Sequence, residues 1–226
     1  MELIAVATLE EVRGFLEGFE REEDVLPQRP LFLHPEDETG VVVTGVGRTN
    51  AAATLSTALE TVSEVERVVS VGVGGSLPSS NLHVGEVLVG ERAVHADLGI
   101  VERESEEDEW VGFDGVEGLG FETSPGFHNT YPLTDIDAAG KRGSIATVST
   151  VSATRESARE VERRCESLGT EADVEAMETA SVAQVCRLHG VDVSAIMGVS
   201  NYAGDEREFD FDAGREAVEE ALHEVY

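Results

Sequence analysis

The chain has 226 residues, 41% of them hydrophobic, which is enough for one large α/β domain with its own core. Sixteen Lys and Arg residues against 46 Asp and Glu residues give a formal net charge of −30, with Lys141 as the only lysine. This balance argues against nucleic acid or an anionic membrane as a partner, and no apolar run reaches the ~18 residues of a membrane span. The two cysteines, Cys165 and Cys186, lack partners at metal-ligand spacing, so we expect a reducing cytoplasm, one whose high salt screens the acidic surface.

Buried strands alternate with helices along the first half of the chain. The apolar run from Leu3 to Ala7 is typical of a buried strand, and Thr8 with Glu11 forms a capping box that predicts a helix. That helix would carry Val12, Phe15, Leu16 and Phe19. There follow an irregular charged segment over 21–38 with one strand at 31–33, a strand over 41–47, a helix over 51–62 and a strand over 68–75. Val-rich strands in this alternation predict a parallel sheet that is covered on both faces.

The second half continues the pattern after a less regular middle. Residues 86–100 are β-rich, the acidic run 102–109 predicts a solvated loop, and residues 112–132 predict a structured loop. The remaining predicted elements are a strand over 143–151, a helix over 154–168, a helix ending near Gly190, a strand over 192–199 and a helix over 212–226. No repeat or linker divides residues 1–226, so we expect a single domain.

Residues 172–183 begin with acids and continue into small residues. Met177, Ala180 and Ser181 recur at helical spacing, which predicts a helix whose first turn places Glu175 and Glu178 on one face. Acids at a helix N-terminus stabilise the helix dipole, which is a structural explanation. The functional alternative is a sugar site, in which a carboxylate binds ribose hydroxyls beside the apolar Met177.

Common cofactor motifs are missing from the sequence. The glycine clusters at 45–50 and 72–77 follow strands, but each lacks the third glycine of a dinucleotide-binding loop, and neither has a Walker lysine. These glycines either admit a ligand close to the backbone or form tight turns. The six histidines form no nucleophile triad and no convincing metal spacing, so we expect no metal and no organic cofactor.

Several segments, in the right order, carry a family resemblance. They are residues 72–76, 96–99, 147–150, 174–178 and 200–204. Together they resemble the purine nucleoside phosphorylase and nucleosidase superfamily, and within it the futalosine hydrolases. The resemblance implies a three-layer αβα fold with a central mixed, largely parallel twisted sheet. It also implies a small-molecule purine nucleoside as substrate, and a homo-oligomer whose neighbouring subunit helps to close each site.

The resemblance also implies roles for individual residues. Met177 and Glu178 would hold the ribose, with Glu175 either near the substrate or only a partner of the helix dipole. Backbone groups of Gly74 and Gly75 would face the base and the nucleophile. Further contacts would come from Thr150, Val151 and Ser152 to the base, from Phe127 or His128 over the sugar, and from Arg207 to the substrate's tail, with Phe209 nearby.

Asn201 points to the type of purine. Adenine-releasing relatives have Asp at this position, whereas an amide can donate to a 6-oxo group and accept from a protonated N7. A buried mismatched polar pair costs about 1–3 kcal/mol, so the amide favours a 6-oxopurine nucleoside such as futalosine over an adenine nucleoside.

The expected nucleophile is water. Phosphorylase relatives bind phosphate through arginines, but Ser70 fills one of those places, and Arg48 is expected to be structural or intersubunit. Either Glu10 or Glu11 would then be the general base, with Glu10 slightly favoured because Glu11 is the capping-box partner. The alternatives are a nucleoside phosphorylase, a methylthioadenosine/S-adenosylhomocysteine nucleosidase, and a non-catalytic nucleoside-binding protein.

Overall fold

A computed structural model describes the chain except for residues 23–28, 37, 105–106, 114–127 and 206–208, and for the side chains of residues 102–109. The strands are β1 (Glu2–Val6), β2 (Glu20–Glu22), β3 (Leu31–Leu33), β4 (Thr39–Val43), β5 (Arg67–Ser76), β6 (Val87–His95), β7 (Gly99–Glu104), β8 (Glu107–Gly112), β9 (Thr130–Pro132), β10 (Lys141–Thr147), β11 (Val174–Ala176) and β12 (Asp192–Tyr202). The helices are α1 (Arg48–Thr61), α2 (Arg155–Ser167), α3 (Thr179–His189) and α4 (Phe211–Val225), with a 3-10 turn over Leu9–Val12.

Ten of these strands form one mixed sheet, in the order β11-β10-β6-β12-β5-β1-β4-β3-β2, with β9 beside β6. The strands β4, β1, β5 and β12 run parallel, whereas β6 is antiparallel to β12 and parallel to β10. Because β11 pairs with both β10 and β5, part of the sheet closes on itself. The carboxyl ends of β1, β5 and β12 therefore meet at one edge, where open α/β sheets place their ligand sites.

Both faces of the sheet are buried, as the Val-rich strands predicted. In β1, Leu3 and Ala5 pack into a core with α1 and α3, whereas Ile4 and Val6 pack into a second core with α4. This alternation follows from the two-residue period of a strand. The expected α/β fold, with a central sheet and flanking helices, is confirmed.

The predicted helix after Thr8 is only one 3-10 turn. The capping box is present, since the Thr8 N–H donates to Glu11 Oε2 at 2.7 Å. Regular helix nevertheless ends at Val12. Gly14 donates its N–H to the Glu219 carboxylate of α4, and Gly18 has a positive φ of 91°. Packing against α4 and a left-handed glycine replace the expected helical turns.

Two further predictions were wrong. The acidic residues 102–104 and 107–109 pair with each other in the antiparallel strands β7 and β8 rather than forming a loop, because backbone pairing does not depend on the charge of the side chains. The start of the predicted helix at Val174 is the strand β11, and α3 begins only at Thr179. Glu175 and Glu178 therefore do not share a helix face. The backbone of Glu175 is paired within the sheet, where it lies opposite Ala146 of β10 and Gly75 of β5.

Among the described residues, none of the helices is both long and apolar enough to span a bilayer.

The net charge of −30 predicts a fold whose stability depends on salt. Raising KCl from about 0.01 M to about 1 M shortens the Debye length from about 30 Å to about 3 Å, which screens the repulsion between acidic side chains. We expect the midpoint of thermal unfolding, measured by circular dichroism, to rise over this range of KCl concentration. The rise should be larger than the rise that sucrose of equal osmolality causes. Equal midpoints at both KCl concentrations would contradict this expectation.

Candidate active site

A cavity of about 510 Å³ opens at the carboxyl ends of β1, β5 and β12. Its described lining comprises Ala7, Thr8, Glu11, Val46, Val73, Gly74, Gly75, Val151, Ser152, Ala153, Glu175, Ala176, Met177, Glu178, Ser200, Asn201, Tyr202, Asp205, Phe209 and Phe211. Most of this lining is apolar, and the polar groups converge from separate strands. That composition is typical of a small-molecule site.

Glu11 contributes a buried carboxylate to the cavity. Its side chain comes from the 3-10 turn after β1, and the residue is 7% exposed. Oε2 accepts from the N–H and hydroxyl of Thr8, whereas Oε1 lies 3.3 Å from the backbone nitrogen of Val73. Gly72 makes room, because a Cβ there would stand 2.8 Å from Glu11 Oε1. Burial raises the pKa of Glu11, so this carboxyl is poised to accept a proton.

Glu178 is the N-cap residue of α3 and faces the same cavity. Its Oε1 accepts from the Gly47 N–H at 2.7 Å and its Oε2 from the Met177 N–H at 3.2 Å. Gly47 has a positive φ of 89°, which suits glycine and turns its N–H toward the carboxylate. Burial, reinforced by the charge of Glu11, raises the pKa of Glu178 to about 7. The two carboxylates are thus electrostatically coupled.

Asn201 enters the cavity near the end of β12. The register between β12 and β5 shifts between Val199 and Asn201, which is a bulge at Ser200. Such a bulge re-aims the following side chain. The hydroxyl of Ser200 donates to Asn201 Oδ1 at 2.9 Å, and a Cβ on Gly75 would lie 3.0 Å from Asn201 Nδ2. Because Gly75 has no side chain, the Asn201 amide lies flat against β5, and the N–H groups of that amide are available to a ligand.

Glu175 lines the cavity beside Ser152. It is 3% exposed, and both of its oxygens accept from Ser152, Oε1 from the N–H at 2.8 Å and Oε2 from the hydroxyl at 2.8 Å. Burial raises the pKa of Glu175. This pair fixes the segment after β10 against β11.

The structure gathers most of the residues that the sequence proposed. Glu11, Gly74, Gly75, Val151, Ser152, Glu175, Met177, Glu178 and Asn201 all line the cavity. Glu10, slightly favoured as the base, instead points outward and pairs with Arg13, with its side chain 67% exposed. Thr150 is exposed and is not among the lining residues, and neither is His128. Phe127 and Arg207 lie outside the described residues.

Sequence reasoning missed much of the apolar wall. Val46 stands between two glycines, and Phe211 follows Phe209 at a spacing of two residues after β12. Two phenylalanines two residues apart, close after Asn201, could have predicted this apolar wall, because residues two apart in an extended segment share a face.

Among the described residues, the cationic side chains lie away from the cavity. Arg48 pairs with Asp97 and also donates to the Ser149 hydroxyl, so its guanidinium is already neutralised. Ser70, at the other expected phosphate-binding place, is 2% exposed within β5. Lys and Arg are absent from the described lining, and no group of three or more His, Cys, Asp or Glu side chains in the described parts of the chain could hold a metal ion.

Comparison with family models identifies the chain's relatives. The model for the phosphorylase superfamily matches residues 35–225. This chain belongs to the phosphorylase superfamily. A search of curated protein sequences found no significant match.

Several solved structures share the fold across nearly the whole chain. The 5'-methylthioadenosine/S-adenosylhomocysteine nucleosidase from Neisseria meningitidis, in complex with methylthio-immucillin-A, has a TM-score of 0.77 at 17% identity, covering 99% of this chain and 97% of that one. Native futalosine hydrolase of Helicobacter pylori has a TM-score of 0.73 at 20% identity, covering 99% and 96%. The nucleosidase from Colwellia psychrerythraea in complex with adenine has a TM-score of 0.72 at 18% identity, covering 99% and 90%. At identities of 17–20%, these likenesses show that the fold is shared.

The raised pKa of Glu178 makes a prediction about stability. Its folded-state pKa of about 7 lies above its usual value of 4.5, so ionisation of Glu178 lowers the free energy of unfolding progressively between about pH 4.5 and pH 7, and by about 3 kcal/mol in full above pH 7. Glu178→Gln removes the charge and keeps an oxygen for the Gly47 N–H. We expect the free energy of unfolding to increase near pH 9 and to be unchanged below about pH 4.5, where the carboxyl is protonated in both states.

Urea denaturation at constant KCl measures this difference, with the exposed Glu10→Gln as the matched control. A Glu178→Gln variant no more stable than the wild type near pH 9 would show that burial of this charge is not costly.

Proposed function

We propose that this chain hydrolyses the N-glycosidic bond of a 6-oxopurine nucleoside, with futalosine of menaquinone biosynthesis as the candidate substrate. The proposal is supported chiefly by the different polar groups at the two ends of one cavity. Asn201 faces the cavity from β12, whereas the carboxylates Glu11 and Glu178 face it from the other side of β5. A purine nucleoside has the matching polarity, with hydrogen-bonding base edges at one end and ribose hydroxyls at the other.

At the ribose end, Glu178 accepts hydrogen bonds from the sugar hydroxyls, and Met177 packs against the sugar's apolar face. Cleavage develops positive charge on the ribose as the bond to the base breaks. Two carboxylates fixed by backbone N–H groups stabilise that charge in a partly buried site, where electrostatic interactions are stronger than in water. The site would thus bind the transition state of cleavage more tightly than it binds the nucleoside substrate.

At the base end, Asn201 donates through Nδ2 to the 6-oxo group and accepts at Oδ1 from a protonated N7. The Ser200 hydroxyl, bonded to Oδ1 at 2.9 Å, holds the amide in that orientation. The leaving purine carries its developing negative charge on the imidazole ring, so protonation at N7 makes it a better leaving group.

Water is the nucleophile in this proposal, and Glu11 is the base that deprotonates it. Three observations support water over phosphate: the described lining has no cation, Arg48 is bound to Asp97, and an anion in the cavity would face Glu11 and Glu178. The raised pKa of Glu11 suits a base that must take a proton near neutral pH.

The mouth of the cavity supports a homo-oligomer with shared sites. Val46, Val151 and Phe209 line the cavity yet are 52%, 56% and 65% exposed. A neighbouring copy that covers these side chains would exclude water from the reacting sugar.

Glu11→Gln should lower kcat by about 10²- to 10⁴-fold, since the amide cannot accept the proton of the attacking water. Glu10→Gln is the matched control, because Glu10 lies one residue away outside the cavity, and its kcat should stay within about twofold of the wild type. The measurement is hypoxanthine release from futalosine and inosine in high KCl, with and without phosphate.

Strict phosphate dependence would point to a phosphorylase, and adenine release from methylthioadenosine to an adenine nucleosidase. Tight nucleoside binding without any release would point to a binding protein. A loss on Glu10→Gln equal to that on Glu11→Gln would remove Glu11 from the role of base.

Asn201→Asp should shift the preference from 6-oxo toward 6-amino purines by about 10- to 100-fold, because a carboxylate accepts from a 6-amino group and repels a 6-oxo group. The measurement is the ratio of kcat/KM for inosine to that for adenosine. An unchanged ratio would mean that the side chain at this position does not read the base.

A further inference from the structure

The ion pair between Arg48 and Asp97 has no part in the proposed chemistry. Arg48 begins α1 directly after Gly47, and Asp97 follows β6. One guanidinium nitrogen of Arg48, Nη2, donates both to Asp97 Oδ1 and to the Ser149 hydroxyl, and the Ser149 N–H donates to Asp97 Oδ2 at 2.7 Å. The side chains of Arg48 and Asp97 are only 18% and 21% exposed. Opening such a pair would leave two charges without partners and largely out of water, so the pair resists opening.

These contacts join two parts of the chain that border the cavity. Arg48 follows the loop 45–47, whereas Ser149 lies in the segment after β10, which supplies Ser152 to the cavity lining. That segment is a firm anchor, because Ser152 donates its N–H and its hydroxyl to the carboxylate of Glu175 in β11, each at 2.8 Å. The Arg48 guanidinium therefore ties the end of the loop 45–47 to a fixed part of the sheet.

The start of the same loop is held on another side. Gly45 donates its N–H to the carbonyl of Ala7 at 3.0 Å, which fixes the beginning of the loop next to the end of β1. The Asn50 side chain donates to the carbonyl of Val46 at 2.7 Å, a contact within the same stretch of chain. Gly47, at the end of the loop, is thus tied to the segment after β10 through its neighbour Arg48.

The carboxylate of Glu178 takes a hydrogen bond from this loop. The Gly47 N–H donates to Glu178 Oε1 at 2.7 Å. Burial raises the pKa of Glu178, the charge of Glu11 raises it further, and the N–H groups of Gly47 and Met177 oppose the rise. Among the described residues, Glu11 is the charged group that acts on this carboxyl. Loss of the Gly47 N–H would therefore raise the pKa of Glu178 further.

We propose that Arg48 is a positioning residue that clamps the loop 45–47, through Asp97 and Ser149, so that the Gly47 N–H stays on the ribose-binding carboxylate of Glu178. The clamp keeps one oxygen of that carboxylate occupied and its orientation fixed, which leaves its remaining acceptor sites directed at the sugar hydroxyls. The inference rests on the proposed function, in which Glu178 holds the ribose.

The test follows the ionisation of Glu178 in the full-length chain. The stability difference between Glu178→Gln and its parent grows from about pH 4.5 and stops growing near the folded-state pKa of Glu178, which is about 7 in the wild type. We call the pH at which it stops growing the levelling pH. In an Asp97→Asn background, which breaks the clamp, the levelling pH should rise by about 0.5 to 1 unit. Urea denaturation at constant KCl measures it.

The direction of this shift separates clamping from a direct effect of charge. Asp97→Asn removes a negative charge, which by itself would lower the pKa of Glu178 and move the levelling pH down. A general loss of stability moves the levelling pH in neither direction, because that pH depends only on the pKa in the folded state. Asp135→Asn is the matched control: Asp135 pairs with Arg142 outside the described lining of the cavity, and its loss should leave the levelling pH unchanged.

Two further variants probe the same clamp. Arg48→Lys should keep the wild-type levelling pH, because a single ammonium nitrogen can donate to both Asp97 and Ser149. Ser149→Ala removes one contact and no charge, so it should raise the levelling pH by a smaller amount, and it replaces Asp97→Asn if that variant does not fold. On Asp97→Asn, kcat/KM for inosine at pH 7 should fall about tenfold, against a change within about twofold on Asp135→Asn.

A levelling pH that stays the same or moves down when the clamp is broken would overturn the inference. An upward shift in a chain that releases no base from any nucleoside would support the clamp and contradict the proposed function. Hydrolysis of a 6-oxopurine nucleoside without any upward shift would support the proposed function and contradict the clamp.

Discussion

The burial of two carboxylates, Glu11 and Glu178, against one cavity is the constraint around which the site is built. Both carboxyls lose hydration, and the charge of Glu11 adds to the raised pKa of Glu178. Backbone N–H groups offset part of this cost, from Thr8 on one side and from Gly47 and Met177 on the other. Two glycines follow from this arrangement: a Cβ at Gly72 would stand 2.8 Å from Glu11 Oε1, and Gly47, whose N–H donates to Glu178, has a positive φ that other residues rarely adopt. Such a site costs stability in the free protein and gains it back when a donor-rich ligand binds.

The mixed sheet explains why these groups meet at all. Glu11 follows β1, Gly75 ends β5, and Asn201 ends β12, and these strands are parallel neighbours. The antiparallel pairing of β11 with β5 then brings Glu175 to the same edge. Residues that are more than 150 positions apart in sequence thus surround one cavity, with Glu11 and Glu178 on one side of β5 and Asn201 on the other.

The sequence predicted the elements whose signals are local and repeated. Val-rich strands such as β4 and β5 carry the two-residue pattern of a sheet that is buried on both faces, and the glycine clusters and Asn201 mark the strand ends. The strand β11 was predicted as the start of a helix because its three residues are too few for periodicity to separate a strand from a helical turn. Its pairing with β10 and β5 makes it a strand. The hairpin β7–β8 was missed because its charge suggested a solvated loop, whereas its pairing is a property of the backbone.

The choice between Glu10 and Glu11 shows a similar limit. The predicted capping box between Thr8 and Glu11 is present, but it suggested that the Glu11 carboxylate was used by the cap and was not a candidate for the general base. The geometry of the 3-10 turn lets one oxygen cap Thr8 while the other faces the cavity, and it turns Glu10 toward Arg13 and solvent. Only the path of the chain after β1 separates these neighbours, and the sequence pattern does not specify that path.

A crystal structure of the Glu11→Gln variant with inosine bound would show how a purine nucleoside lies in the cavity, since we expect the variant to keep the cavity intact and to slow cleavage. We expect the ribose hydroxyls to lie within hydrogen-bonding distance of Glu178, and the 6-oxo group and N7 to lie against Asn201. A nucleoside bound in the reverse orientation, or outside this cavity, would contradict it.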